Sequence, residues 1–300
     1  MKIFALPGNT VLARGIARHL DAELGAFTLR RFPDGESYVR LLCDVERQHA
    51  VIVCTLFQPD DKILPLYYLA RLLKESGAQS VTLVAPYLAY MRQDKLFNPG
   101  EAVTSNYFAV LLSSFVDRLI TIDPHLHRHS SMAELYTIPC KVIHAAPLLS
   151  DWIRQYVANP IIIGPDSESE QWVSEVAAKA DAPYLVLKKV RHIDNDVEVS
   201  TPVIAAYRGR IPVLVDDIIS TAHTMIETVG HLRGAGMAAP VCIGVHPVFA
   251  GNAYEDLVAA GAADVISCNT IQHPSNRIDV ADMLATVMSA YYQTTIQHGQ

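Results

Sequence analysis

The sequence predicts an α/β fold of two similar domains, each a mainly parallel sheet flanked by helices. Three observations predict it. Short apolar runs bounded by Gly, Pro, Asp or His recur along the 300 residues, stretches with helical spacing lie between them, and the alternation runs twice. Strands of a parallel sheet are covered on both faces, so they read as continuous apolar runs rather than as alternating ones.

The elements follow in order. "IFAL" from residue 3 is the first such run, and Pro7-Gly8-Asn9 ends it. "AVIVC" from 50, "SVTLVA" from 80 and "RLITI" from 118 read as further buried strands, with the helical pattern "DKILPLYYLARLLKES" from 61 after the first of these. This set of strands ends near Asp123. A second begins near Ile161 after the helix-like "AAPLLSDWIRQYV", as "PIIIG" from 160, "IPVLV" from 211 and "VCIGV" from 241, with "SEQWVSEVAAKA" from 169 as a helix between. Strand and helix in strict alternation argue for parallel sheets with helical crossovers. The doubled rhythm divides the chain into an N-terminal domain over 1–147 and a C-terminal domain over 148–300. No Gly/Ser-rich linker marks that division. The final helical stretch, "VADMLATVMSAYY" from 280, has no strand after it, which leaves its packing open.

Composition excludes several classes. Lys and Arg number 24 against 31 Asp and Glu, a formal charge of −7, and no basic run marks a nucleic-acid surface. Five dispersed cysteines without C-x-x-C spacing read as reduced core thiols, so the expected compartment is cytoplasmic. The apolar stretch after Met1-Lys2 is too short for a signal peptide, and no run reaches membrane-spanning length. The expectation is therefore no nucleic acid and no membrane.

"VLVDDIISTAHTM" over 213–225 places chemistry at the carboxyl end of a strand, where open parallel sheets bind ligands. The strand is predicted to end at Val215 and a helix to begin near Ala222, with Ser220 or Thr221 as its cap. Loop amides with the hydroxyls of Ser220, Thr221 and Thr224 suit a phosphate dianion. Asp216 and Asp217 are suited to two vicinal sugar hydroxyls. An acidic turn followed by an ordinary Ser/Thr cap has the same letters. "GAGMAA" from 234 follows a helix and precedes a strand, the reverse of the order a dinucleotide fingerprint needs, so it reads as a helix stop. No P-loop pattern occurs, so any ATP must be held by another cradle.

The 213–225 stretch resembles the ribose-phosphate loop of the phosphoribosyltransferase fold, and five more stretches narrow the resemblance to the ribose-phosphate diphosphokinases, with an archaeal-type flavour. "RFPDGESYVRL" carries Phe32, Asp34 and Glu36, "YMRQDK" carries Arg92, Gln93 and Asp94, "TIDPHLH" carries His125, "GPDSES" carries Asp166, and "KKVRHIDNDVEVS" carries Lys189 and Arg191. They occur in family order over nearly the whole chain. The resemblance implies ATP contacts for Phe32, Asp34, Glu36, Arg92, Gln93 and Asp94. It implies Mg²⁺ at His125 and Asp166, and ribose 5-phosphate on Asp216, Asp217, Ser220, Thr221, Ala222, His223 and Thr224. Catalysis falls to Lys189 and Arg191, two permanent cations for phosphate oxygens. The implied reaction passes the β,γ-diphosphoryl group of Mg-ATP to the anomeric hydroxyl of ribose 5-phosphate and releases AMP. The loop bearing Phe32 is implied to reach a neighbouring subunit, hence a homo-oligomer of at least two chains.

"HLHRH" sets His125, His127 and His129 at alternate positions, but Cys and His do not cluster elsewhere at zinc spacing. His127 and His129 therefore read as polar loop residues. Two departures from the family stand out. Ala222-His223 replaces a Gly-Gly pair, and Glu168 and Glu170 occupy places where small residues are common. They keep two alternatives open: a diphosphokinase for another phosphorylated pentose, and a non-catalytic, synthetase-like subunit.

Overall fold

The structure is a computed structural model that describes residues 1–126, 128–165, 169–187, 204 and 206–297. The chain forms two compact units, Met1–Ile143 with Val280–Gln300, and His144–Asp279.

In the first unit, β1 (Lys2–Ala5), β2 (Glu23–Leu24), β5 (His49–Val53), β6 (Ser80–Ala85), β7 (Arg118–Ile122) and β8 (Cys140–Ile143) form one sheet. Its order is β2-β1-β5-β6-β7-β8, parallel throughout. All six residues of β6 are buried, as a central strand under helices on both faces requires. Helices α1 (Thr10–Leu20), α2 (Asp60–Glu75) and α3 (Thr104–Ser113) cover it. Between β2 and β5 the chain makes an antiparallel hairpin of β3 (Phe27–Arg31) and β4 (Ser37–Leu41), paired from Phe27 opposite Leu41 to Arg31 opposite Ser37.

The second unit repeats the order. β9 (Pro160–Gly164), β10 (Tyr184–Val186), β11 (Ile211–Ile219), β12 (Val241–Pro247), β13 (Asp264–Cys268) and β14 (Asn276–Ile278) run β10-β9-β11-β12-β13-β14, again all parallel. Its helices are α4 (Ala146–Tyr156), α5 (Glu170–Ala180), α6 (His223–Gly234) and α7 (Ala253–Ala259). Helix α6 stops as "GAGMAA" predicts: Gly236 has φ +80°, its N–H reaches the Arg233 carbonyl at 3.0 Å, and the Met237 N–H reaches that of Leu232 at 3.0 Å.

The final helix, α8 (Ala281–Gln297), packs on α1 in the first unit, whereas the two-stretch division of the sequence grouped it with residues 148–300. Close approach at Gly15 permits this, since a Cβ there would lie 2.8 Å from that of Ala281. The Tyr292 hydroxyl meets Thr82 Oγ1 at 2.7 Å, and the Tyr292 ring lies 4.9 Å from that of His49. Helix α4, which follows β8, packs on α5 in the second unit, where Ser150 Oγ donates to the Val176 carbonyl at 2.9 Å.

Candidate active site

In the second unit the site begins where β11 ends, and β11 runs four residues further than the sequence suggested. Pairing with β12 continues at Asp216 opposite Gly244, Ile218 opposite His246 and Ile219 opposite Pro247. The reason lies across the ladder: a Cβ at Gly244 would fall 2.6 Å from Ile219 Cγ1, so glycine there lets Ile219 lie over β12. Asp216 and Asp217 are thus strand residues, half-buried, with the Asp217 N–H donating to Asp216 Oδ1 at 2.9 Å.

The loop that follows is held from outside. Backbone N–H groups of Phe249 and Ala250 donate to the carbonyls of Ile219 (2.9 Å) and Ser220 (3.1 Å). Helix α6 then starts at His223. Neither Ser220 nor Thr221 is its cap; the cap position is Ala222, which makes no side-chain cap bond. Ala222 has φ +57° and ψ +7°, the left-handed region. Its methyl is buried in the cluster that includes Ile219 and Met225. The Ile226 N–H to Ala222 carbonyl bond, 2.8 Å, opens the helix. A left-handed residue followed by helical ones turns successive amides toward one concavity, and the helix dipole adds positive potential there. Ser220 and Thr224 are half-buried at this end, and Thr221 and His223 are exposed. The geometry suits an anionic group.

In the first unit, three groups of candidate residues sit beyond or beside the strands. Phe32, Asp34 and Glu36 lie on the β3–β4 turn, where Gly35 at φ +93° reverses the chain and the Phe32 N–H donates to the Glu36 carbonyl at 2.8 Å. Asp34 accepts the Glu36 N–H at 3.2 Å. The Phe32 ring is exposed, with the Arg30 guanidinium 4.5 Å from its centroid and the Tyr38 ring edge-on at 5.8 Å. A cation over its face and an aromatic edge hold the ring in place.

After β6 come Arg92, exposed, and Gln93, half-buried. Gln93 is set by its own N–H to the Tyr90 carbonyl at 3.2 Å and by the Ser105 N–H to its carbonyl at 3.3 Å. Tyr90 itself donates to the Asp60 carboxylate, and that bond pushes its pKa up to about 12. Asp94 differs from its two neighbours. Its side chain is 1 % exposed, and both carboxylate oxygens accept from Arg128, at 2.9 and 3.0 Å.

Arg128 belongs to the loop after β7, which also carries His125, half-buried. Asp123, in the left-handed region at φ +35°, turns the chain into this loop while its N–H donates to the Ile143 carbonyl at 3.0 Å. His129 Nδ1 lies 2.9 Å from Glu134. The Ser130 hydroxyl, and then His129, hold the Glu134 carboxyl below its ordinary range. Among the described residues no group of three or more His, Cys, Asp or Glu is arranged to hold a metal ion. Asp166, Lys189, Arg191, Glu168 and His127 lie outside the described residues.

Three contributors were not read from the sequence. Gly244 and Arg128 are two. The third is Asn9, buried in the loop after β1, whose amide donates to the carbonyls of Leu6 (3.2 Å) and Pro7 (3.1 Å) and whose Oδ1 accepts the Thr55 N–H at 2.8 Å. It ties together the loops after β1 and β5. The signal available was a lone Asn after Pro-Gly at a strand's carboxyl end.

Comparison with known proteins defines the class first. Residues 131–282 match the phosphoribosyl transferase domain, and residues 1–115 match the N-terminal domain of ribose phosphate pyrophosphokinase. The chain is 33 % identical to a ribose-phosphate pyrophosphokinase of Methanopyrus kandleri over 95 % of this chain and 97 % of the relative. It is likewise 33 % identical to ribose-phosphate pyrophosphokinase 2 of Archaeoglobus fulgidus, over 95 % and 99 %. The crystal structure of phosphoribosylpyrophosphate synthetase from Mycobacterium smegmatis superposes with a TM-score of 0.85 at 25 % identity, covering 98 % of this chain and 99 % of that one. The chain belongs to the ribose-phosphate pyrophosphokinase family.

Proposed function

We propose that the protein transfers the β,γ-diphosphoryl group of Mg-ATP to ribose 5-phosphate, giving phosphoribosyl diphosphate and AMP. The observation that carries this reading is the end-to-end match to ribose-phosphate pyrophosphokinases, with all six motifs in order along one chain. The anomeric oxygen attacks the β-phosphorus, the bond from that phosphorus to the α,β-bridging oxygen breaks, and the hydroxyl proton passes to solvent. Such chemistry depends on positioning and on neutralising charge at the phosphoryl oxygens.

The 5-phosphate docks at the amino end of α6, against the amides after Ala222 and the hydroxyls of Ser220, Thr221 and Thr224. Asp216 and Asp217 lie one step upstream, within the strand, for the sugar hydroxyls. Phe32 offers a ring for adenine, with Asp34 and Glu36 beside it, and Arg92 and Gln93 face the nucleotide. His125 and Asp166 would hold the magnesium that accompanies ATP, and the ion would neutralise charge on the phosphate oxygens. Lys189 and Arg191 supply positive charge against the negative charge that develops on the phosphoryl and leaving oxygens. The working form is a cytoplasmic homo-oligomer in which the Phe32 hairpin serves a neighbouring subunit.

Purified protein with Mg-ATP and ribose 5-phosphate is expected to release AMP and phosphoribosyl diphosphate in equal amounts. AMP release that does not depend on the sugar overturns the reading. Ala222-His223 in the phosphate loop favours one second reading, a different phosphorylated pentose as acceptor. A higher kcat/KM for another pentose phosphate than for ribose 5-phosphate selects it.

A further inference from the structure

The ion pair between Asp94 and Arg128 joins two loops of the first unit that the sequence treats as separate motifs. One loop follows β6 and carries Arg92 and Gln93; the other follows β7 and carries His125. A single guanidinium nitrogen, Nη1 of Arg128, donates to both oxygens of a carboxylate that solvent hardly reaches. The segment beyond Asp94 is held as well. The Arg128 guanidinium lies 5.8 Å from the Phe97 ring centroid, and Lys95 Nζ lies 5.1 Å from it. Glu101 accepts the N–H groups of Phe97 (2.8 Å) and Asn98 (2.9 Å) and the Asn98 side-chain amide (2.6 Å).

We propose that Arg128 is a positioning residue for Mg-ATP, acting through Asp94 to fix the Arg92–Gln93 segment against the His125 loop. The proposal rests on the reading of those loops as the nucleotide and metal side of a diphosphokinase. Two physical facts support it. The Asp94 side chain is 1 % exposed while that of Arg128 is 41 % exposed, and a buried carboxylate left without its partner is strongly destabilised, so separating the two loops strands the Asp94 charge. An uncompensated carboxylate beside Arg92 would also repel a triphosphate, and the Arg128 guanidinium offsets that charge. Asp94 thus serves as a strut under the nucleotide segment, with its oxygens turned toward protein.

Steady-state kinetics of the full chain, with Mg-ATP and ribose 5-phosphate varied separately, tests this with R128Q, R128K, D94N and the double variant D94N/R128Q. Expected for R128Q is a fall of about tenfold or more in kcat/KM for ATP, with KM for ribose 5-phosphate changed by less than about threefold. R128K restores most of that loss, because one nitrogen makes both bonds and an ammonium can take its place. The double variant is no worse than R128Q within about threefold, since a residue that acts through another has nothing further to lose. Wild-type ATP kinetics in R128Q, or losses that multiply in the double variant, overturn the proposal; multiplication would mean that Arg128 meets ATP itself. Equilibrium binding of a non-hydrolysable Mg-ATP analogue is measured in parallel on the same variants. If the wild type makes no AMP from ribose 5-phosphate, the functional reading fails while the binding series still decides the role of Arg128. If near-UV circular dichroism shows R128Q unfolded, R128K and D94N carry the decision: near-wild-type ATP binding in R128K with tenfold weaker binding in D94N supports the strut, and unchanged binding in D94N overturns it.

Discussion

Ala222 in the left-handed region gives a stability prediction that can be worked in both directions. A non-glycine residue there costs roughly 1–2 kcal/mol in backbone strain, which Ala222→Gly removes. The same substitution deletes a methyl that is 7 % exposed among Ile219, Met225 and Val229, a loss of about 0.8 kcal/mol. Glycine also widens the unfolded ensemble, costing a further 0.4–1 kcal/mol or so. The terms nearly cancel, so Ala222→Gly is expected to lie within about 1 kcal/mol of wild type by urea unfolding. Had Ala222 been an ordinary helical residue, no strain would be relieved, and the same change would cost roughly 1–2 kcal/mol. Ala222→Val sharpens the contrast, because a β-branched side chain at φ +57° is a steric outlier and is expected to cost at least about 2 kcal/mol. A loss near 2 kcal/mol for the glycine variant, or a valine variant equal to wild type, would refute the left-handed cap. The result bears on function, since this conformation aims the first-turn amides of α6.

Gly25→Ala is expected to destabilise the first unit by about 1–3 kcal/mol in thermal unfolding, because the new Cβ would fall 2.2 Å from the fully buried Phe4 ring; an unchanged midpoint would mean the ring has room to move. Acid sensitivity should track His49, whose Nδ1 lies 2.8 Å from Ser80 Oγ and whose ring packs on Tyr292. Burial first, then the charges of Arg118 and the N-terminus, depress its pKa below the ordinary 6.5. The depressed folded-state value means the unfolded chain binds the proton more readily, so the contribution is intact above pH 6.5 and is lost as pH falls through the folded value. His49→Gln should therefore flatten the fall of Tm between about pH 7.5 and 5 relative to wild type; parallel curves would sink the assignment.

The fold was legible wherever a strand is covered on both faces. "AVIVC", "SVTLVA", "PIIIG" and "IPVLV" all became buried strands of parallel sheets, because such strands carry their signal in unbroken apolar letters. Edge strands of two or three residues, β2, β10 and β14, hold too few letters to show a period. The Phe32 hairpin was visible only as a Pro-Asp-Gly turn, since β3 and β4 are half-exposed and mixed in character. The extent of β11 was hidden because Asp216-Asp217 looks like a strand exit; what prolongs the strand is Gly244 on its neighbour, some thirty residues away.

The site was legible as a set of motifs and illegible as a framework, for a physical reason. Residues that meet phosphate or base announce themselves by type and spacing, but residues that hold those loops do so through contacts remote in sequence. Arg128 stood in plain view within "HLHRH", where three alternating histidines drew the eye, and its partner lies thirty-four residues earlier. The terminal helices obey the same rule. The helix after β8 packs on α5, and the helix after β14 packs on α1, so each repeat's last helix covers the first helix of the other repeat's unit. No local pattern in "VADMLATVMSAYY" distinguishes this exchange from packing on its own repeat. What determines it is complementarity: a glycine on α1 that admits Ala281, and a hydroxyl on β6 that pairs with the buried Tyr292 hydroxyl.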